Sequence, residues 1–417
     1  MTIQDRASKL WVRTSLGVVA FVAILASPLA TQAEDRETGR DDDRDRRDDR
    51  GPFGDALRLV GEGREIFRYD TFGNEAFWGE TLRLYEAIAS VPPSTALAVG
   101  LKVDVEALPR NLRRQLGRGQ VDLEDPATTL ALLELDAVVG VKGSFDQKGH
   151  LSSLETHCAL CHSTVDDSLL PGVGRRLDGW ANRDLDVGTI ISLAPDLSVF
   201  TTLLGADDAT VRTVLRSWGP GKFDASLLLD GKAFAPNGRP GAVLILPAFG
   251  LAGVNLHTWT GWGSVSHWNA LVANLEMCGQ GTSIDRRLDD ADRFPIAARE
   301  GFGEVRKDPD LVTSKLSALQ LYQLALLSPT APRKSFDAKA AKRGKVVFEG
   351  RGQCAACHVP DLYTEPGYNH PHSGGDRNRR VPGGAISDGR VSDGAPQGPL
   401  DARQGRLLPR RPLRHAR

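Results

Sequence analysis

The chain has 417 residues, 41% of them hydrophobic and 25% charged, with 44 Gly, 24 Pro and five Cys. That is apolar material for roughly two or three compact domains and excludes a wholly disordered chain. The formal net charge of -1 hides an uneven spread: residues 370–417 hold ten Arg against four Asp, so the remainder is acidic and offers no basic patch for nucleic acid.

Residues 1–33 read as a secretory signal peptide. Lys9 and Arg13 precede an apolar run from Leu16 to Ala26, and Thr31-Gln32-Ala33 forms a small-x-Ala cleavage site before Glu34. The run is short for a bilayer span, so membrane contact is expected only if the leader stays uncleaved as an anchor. The expected location is the periplasm. Residues 34–52, rich in Asp and Arg, cannot bury surface and read as a disordered, solvated arm.

Folding is expected to start near Phe53, with a helical domain over 53–330. Helical spacing of Phe77, Trp78, Leu82, Leu84 and Tyr85 predicts a helix over 75–89, and Asp125-Pro126 opens another over 125–139. Between these and the next helix stands Cys158-Ala159-Leu160-Cys161-His162. In a C-x-x-C-H string two thiols on one helical turn can add to the vinyl groups of a haem while the adjacent imidazole coordinates iron. Half a zinc site or a redox dithiol would compete in a cytosolic protein, but an exported chain with His directly after each pair fits neither well. Cys158 and Cys161 are therefore the expected thioether anchors of a first haem, with His162 as its axial iron ligand.

Further helices are expected over 207–218, with Val211, Val214, Leu215 and Trp218 as one stripe ended by Gly219-Pro220, over 264–277, and over 315–327. Strand alternation is weak throughout, so the expected fold is mainly α. Met277, the only Met after the initiator, is the candidate distal ligand of the first haem, with His257 and His267 as alternatives. His150 and His157 are expected near the haem edge without coordinating iron. Trp259, Trp262 and Trp268 are expected to pack around this haem, and the unpaired Cys278 to be a small buried hydrophobe.

Ser328-Pro329-Thr330-Ala331-Pro332 reads as a linker into a second domain over 331–369. There a helix over 336–348 leads into Cys354-Ala355-Ala356-Cys357-His358, a second C-x-x-C-H placed 196 residues after the first. Cys354 and Cys357 are the expected anchors of a second haem c, with His358 as its axial ligand. A helix just before the motif resembles the opening of a cytochrome c domain, in which Gly at the position of Gly344 allows close packing against a C-terminal helix. No such helix follows here, so the expected architecture is cytochrome c-like helical haem domains, the second incomplete.

Residues 370–417 contain no aromatic residue and show no periodicity, which reads as disorder. Back-translated with permissible codons and read one base later, they can spell a peptide containing KGGFYHDGRFAT. That string resembles the stretch after the second haem in bacterial di-haem cytochrome c peroxidases, so a frameshift after Asn369 is expected. Asp70-Thr71-Phe72-Gly73-Asn74 with Phe77-Trp78, and the block from Leu256 to Gly263, resemble exported bacterial di-haem c-type cytochromes. The resemblance implies electron transfer with redox protein partners, and the acidic remainder of the chain favours a basic one. A peroxidase-like reduction of hydrogen peroxide is the alternative, in which case one iron needs an open sixth position.

Overall fold

The computed structural model describes residues 51–364, apart from 259, 260 and 333. The expected signal peptide, nearly all of the charged arm, the shifted-frame tail and Trp259 lie outside the described residues.

The longest helix, α1 (Pro52–Tyr69), runs against α13 (Leu316–Ala325). Their contact needs Gly63, because a Cβ there would collide with the Ala318 carbonyl and the Tyr322 side chain. Phe67 and Tyr322 close the seam, with ring centroids 5.5 Å apart. After α1 come a π-helical turn (Ala76–Thr81), α2 (Leu84–Ile88), α3 (Pro93–Ala98), β1 (Val103–Asp104), α4 (Arg110–Gly117) and α5 (Pro126–Glu134). The helix expected over 75–89 is thus two pieces, because Arg83 turns left-handed at φ 48°. That over 125–139 stops early for the same reason, Asp136 having φ 50°. The Asp125 carboxylate caps α5 as its sequence position suggests, accepting from Ala127 N at 2.9 Å.

Next come β2 (Val141–Phe145), β3 (Leu151–Thr156), α6 (Ala159–His162), β4 (Ser163–Val165), β5 (Val173–Gly174) and β6 (Arg176–Asp178). Five two-stranded pairings occur among the described residues, of which β1 with β5 is parallel and β2 with β3 is the longest. The chain is therefore helix-rich with several small sheets, in keeping with the expected mainly α fold. Leu151 and Leu154 are spaced three apart and both face the core, so β3 lacks clean alternation; its buried Glu155 and Thr156 are instead matched by hydrogen bonds from Ser144 and Asn74.

The remainder holds α7 (Val187–Ile191), α8 (Ser198–Leu204), α9 (Asp208–Ser217), β7 (Lys222–Phe223), α10 (Leu227–Asp230), β8 (Val243–Leu244) and α11 (Val265–Leu271). It ends with β9 (Thr282–Ile284), α12 (Pro295–Glu300), β10 (Glu304–Arg306), α13 and α14 (Ala338–Glu349). In α9 the expected stripe is buried and Asp207 accepts from Thr210 N at 2.7 Å. The helix expected over 264–277 starts as α11 but continues as a π-turn (Val272–Glu276). Two apolar cores result. The larger gathers α2 to α10, and the smaller lies between α1, α13 and the segment around Met277. No helix among the described residues is long and apolar enough to cross a membrane.

Candidate functional site around Cys158, Cys161 and His162

Cys158 is the N-cap of the four-residue helix α6, and the motif straddles the two cores. Ala159 is 0% exposed. Cys158 packs against the smaller core, which also contains Ala159 and Met277, while Leu160 and Cys161 pack against the larger. The β2–β3 hairpin delivers the chain to this seam, and Gly140 accepts from His157 N at 3.0 Å. Gly140 has φ 81°, and a Cβ there would strike the Leu160 backbone, so only glycine fits.

So short a helix has no internal partner for its last carbonyls. A loop after β6 supplies them. Asn182 N donates to Cys161 O at 2.9 Å and Gly179 N to His162 O at 2.8 Å. The Asn182 amide donates to Gly100 O at 2.9 Å and, more weakly, to Leu160 O at 3.5 Å. Ser163 Oγ donates to Asp178, which also takes Arg68 at 2.5 Å and the Tyr322 hydroxyl. One buried carboxylate therefore fixes the end of the motif to α1 and α13. Asn182, Asp178, Gly140 and Leu246 carry no signal in the sequence, since their work depends on neighbours far along the chain.

His162 Nδ1 lies 2.9 Å from the Leu246 carbonyl. A carbonyl only accepts, so Nδ1 carries the proton and the lone pair of neutral imidazole is on Nε2. Burial keeps this ring below the ordinary histidine pKa. The two thiols are free. Burial pushes Cys158 up to about 12, with the charge of Asp70 adding to it, and pushes Cys161 up to about 12, with Glu276 and Cys158 adding. Glu276 itself is pushed up to about 7 by burial. Two unpaired thiols on one turn beside an imidazole with Nε2 as its base are the donor set that a covalently held haem requires. Among the described residues, no group of three or more His, Cys, Asp or Glu gathers as a metal cage.

The second motif is built differently. Cys354, Ala355 and Ala356 form a 3-10 turn after α14, with Cys354, Cys357 and His358 exposed. His358 Nδ1 nevertheless lies 3.1 Å from the Tyr363 carbonyl, so the same tautomer is set by a local contact. No residue of α14 is buried, and Gly344 has nothing within 4 Å of where a Cβ would stand. Its expected close packing is therefore absent from the described residues.

The candidate distal residues separate. Met277 is 8% exposed in the smaller core, where its carbonyl accepts from Trp78 Nε1 at 3.0 Å. His267 is engaged elsewhere, 3.4 Å from Asp285 and 3.5 Å from Arg287. His257 is half-buried and bridges to Gly263. Trp262 donates to Asp285 at 2.6 Å, lies under the Arg287 guanidinium and meets Phe294 edge to face, so it serves this network. Trp268 meets His267 edge-on. His150 is exposed on the hairpin turn beside Asp146, and His157 is 5% exposed with both ring nitrogens unpartnered. Cys278, half-buried at φ 59°, points its thiol toward the Leu275 carbonyl at 3.6 Å. No protein-family model matches the chain, and no curated protein matches it.

Proposed function

We propose that the chain is an exported, periplasmic c-type cytochrome that carries single electrons between protein partners. Cys158 and Cys161 hold the first haem by thioethers with His162 on its iron, and Cys354, Cys357 and His358 hold a second. The observation that carries this reading is the His162 ring. Its Nδ1–H is tied to Leu246 O, so Nε2 is presented as a base in a fixed orientation on the same turn as two free thiols.

A bound haem supplies a one-electron iron couple, and its potential follows axial ligation, burial and nearby hydrogen bonds. The chain's own residues set the rest. The Leu246 carbonyl strengthens the imidazole as a donor, and the loop from Gly179 to Asn182 keeps α6 from unwinding. Ala159 is buried between the two cores and anchors the otherwise half-buried motif there. Met277, buried in the core that also receives Cys158, is the proposed sixth ligand of the first haem. The acidic body favours a basic redox partner. Resemblance of the second segment to the start of a cytochrome c domain, together with the exposure of α14, supports a second haem domain whose remainder lies in the shifted frame.

Reduced-minus-oxidised spectra of the exported protein test this. Low-spin haem with two axial ligands and no peroxide turnover is the expected result. High-spin haem that turns over hydrogen peroxide would contradict the carrier reading.

A further inference from the structure

A cavity of about 460 Å³ opens between α8, α10 and the π-turn after α11, and none of the motif cysteines lines it. That volume suits a small organic ligand. Its walls are apolar and aromatic, with Phe77, Phe200, Phe302, Leu228 and Leu275 among them. Phe77 and Phe200 meet edge to face, with centroids 6.1 Å apart, which fixes both rings.

Two carboxylates line the same space, and no Lys or Arg does. Glu300 is already engaged by Arg299 at 2.7 Å. The Glu276 side chain has no hydrogen bond or ion pair among the described residues. A carboxylate facing an apolar cavity is costly unless a donor or cation meets it. Aromatic walls add a second preference for positive charge, through their ring faces.

We propose that this cavity binds a small hydrophobic amine, its ammonium group on Glu276 and its apolar body against Phe77, Phe200 and Phe302. An ammonium ion would stabilise the ionised form of Glu276 that burial disfavours, a neutral ligand would not, and an anion would be disfavoured beside both glutamates. The site adjoins the proposed haem site, since Glu276 precedes Met277 and its charge reaches Cys161, so the test compares haem-free and haem-loaded chain.

Isothermal titration calorimetry of the exported full chain tests it, with 2-phenylethylammonium as probe and 2-phenylethanol as its neutral counterpart. Wild type is expected to bind the amine at least tenfold more tightly than the alcohol. Glu276→Gln should abolish that preference while leaving alcohol binding unchanged, and Leu228→Trp should abolish both. Should Leu228→Trp fail to fold by circular dichroism, the Glu276→Gln comparison decides alone. Equal affinities, no heat with millimolar amine, or a preference that survives Glu276→Gln would overturn the proposal. So would binding to the haem-free chain but not to the haem-loaded one, because the cavity would then be the haem's own space. Absence of haem from the exported chain would instead sink the electron-transfer reading and leave this measurement to be read as it stands.

Discussion

At the scale of single residues, burial decides what the motif can do and when. A thiol held near 12 is a thiolate at a fraction on the order of 10⁻⁴ at pH 8, too small for ready nucleophilic attack. Thioether formation at Cys158 and Cys161 is therefore expected before the fold closes. Iodoacetamide treatment of the folded, haem-free chain should alkylate the exposed Cys354 and Cys357 within minutes and spare Cys158, Cys161 and Cys278. Equal rates at all five would show that the seam is open. His157 gives a pH dependence of known sign. Burial, reinforced by Arg176, pushes its pKa down to about 3, so the folded state keeps it neutral while the unfolded chain protonates it near 6.5. Its contribution is fully present above about pH 6.5 and is lost as pH falls toward 3, by up to about 1.4 kcal/mol per pH unit. Urea unfolding across that range should show the slope, and His157→Phe should flatten it; an unchanged slope would assign the acid sensitivity to other groups. The cysteines and His162 were legible because their chemistry is written in spacing. Asn182 was not, because its function is to cap carbonyls more than twenty residues away in sequence, at Cys161 and Leu160.

At the scale of elements, α1 and α13 form the frame on which the motif is hung, and Asp178 is the tie. Its side chain is 3% exposed and receives Arg68, Tyr322 and Ser163. Asp178→Ala leaves the Arg68 guanidinium without its partner and should cost about 3–5 kcal/mol of unfolding free energy. Chemical denaturation measures this directly, and a loss below about 1 kcal/mol would mean that solvent replaces the carboxylate. Gly63→Val should separate the two helices, lowering stability by about 2 kcal/mol or more through overpacking against Ala318. Helices α9 and α13 could be read from their apolar stripes and stop signals. The π-turn after α11 could not, since one extra residue per turn leaves no mark in composition. Nor could the left-handed breaks at Arg83, a residue type with no preference for that region, and at Asp136, whose type tolerates it without requiring it.

At the scale of the whole molecule, the two motifs differ in how they are supported. The first lies between two cores, with its carbonyls capped and its imidazole held by a residue 84 positions away. The second stands on a helix with no buried residue, and every contact it makes to hold His358 is local. On the proposed function, unequal haem occupancy is expected. The exported chain should carry the first haem fully and the second in part, and restoring the shifted reading frame after Asn369 should bring the second to full occupancy.

The most direct measurement is mass spectrometry of the protein exported from a host able to attach haem, intact and after proteolysis in denaturant. Haem mass should remain on the peptide containing Cys158, Cys161 and His162, and should vanish from it in the Cys158→Ser, Cys161→Ser double variant. A peptide with both thiols unmodified in the wild-type chain would contradict the assignment of this turn as a haem site.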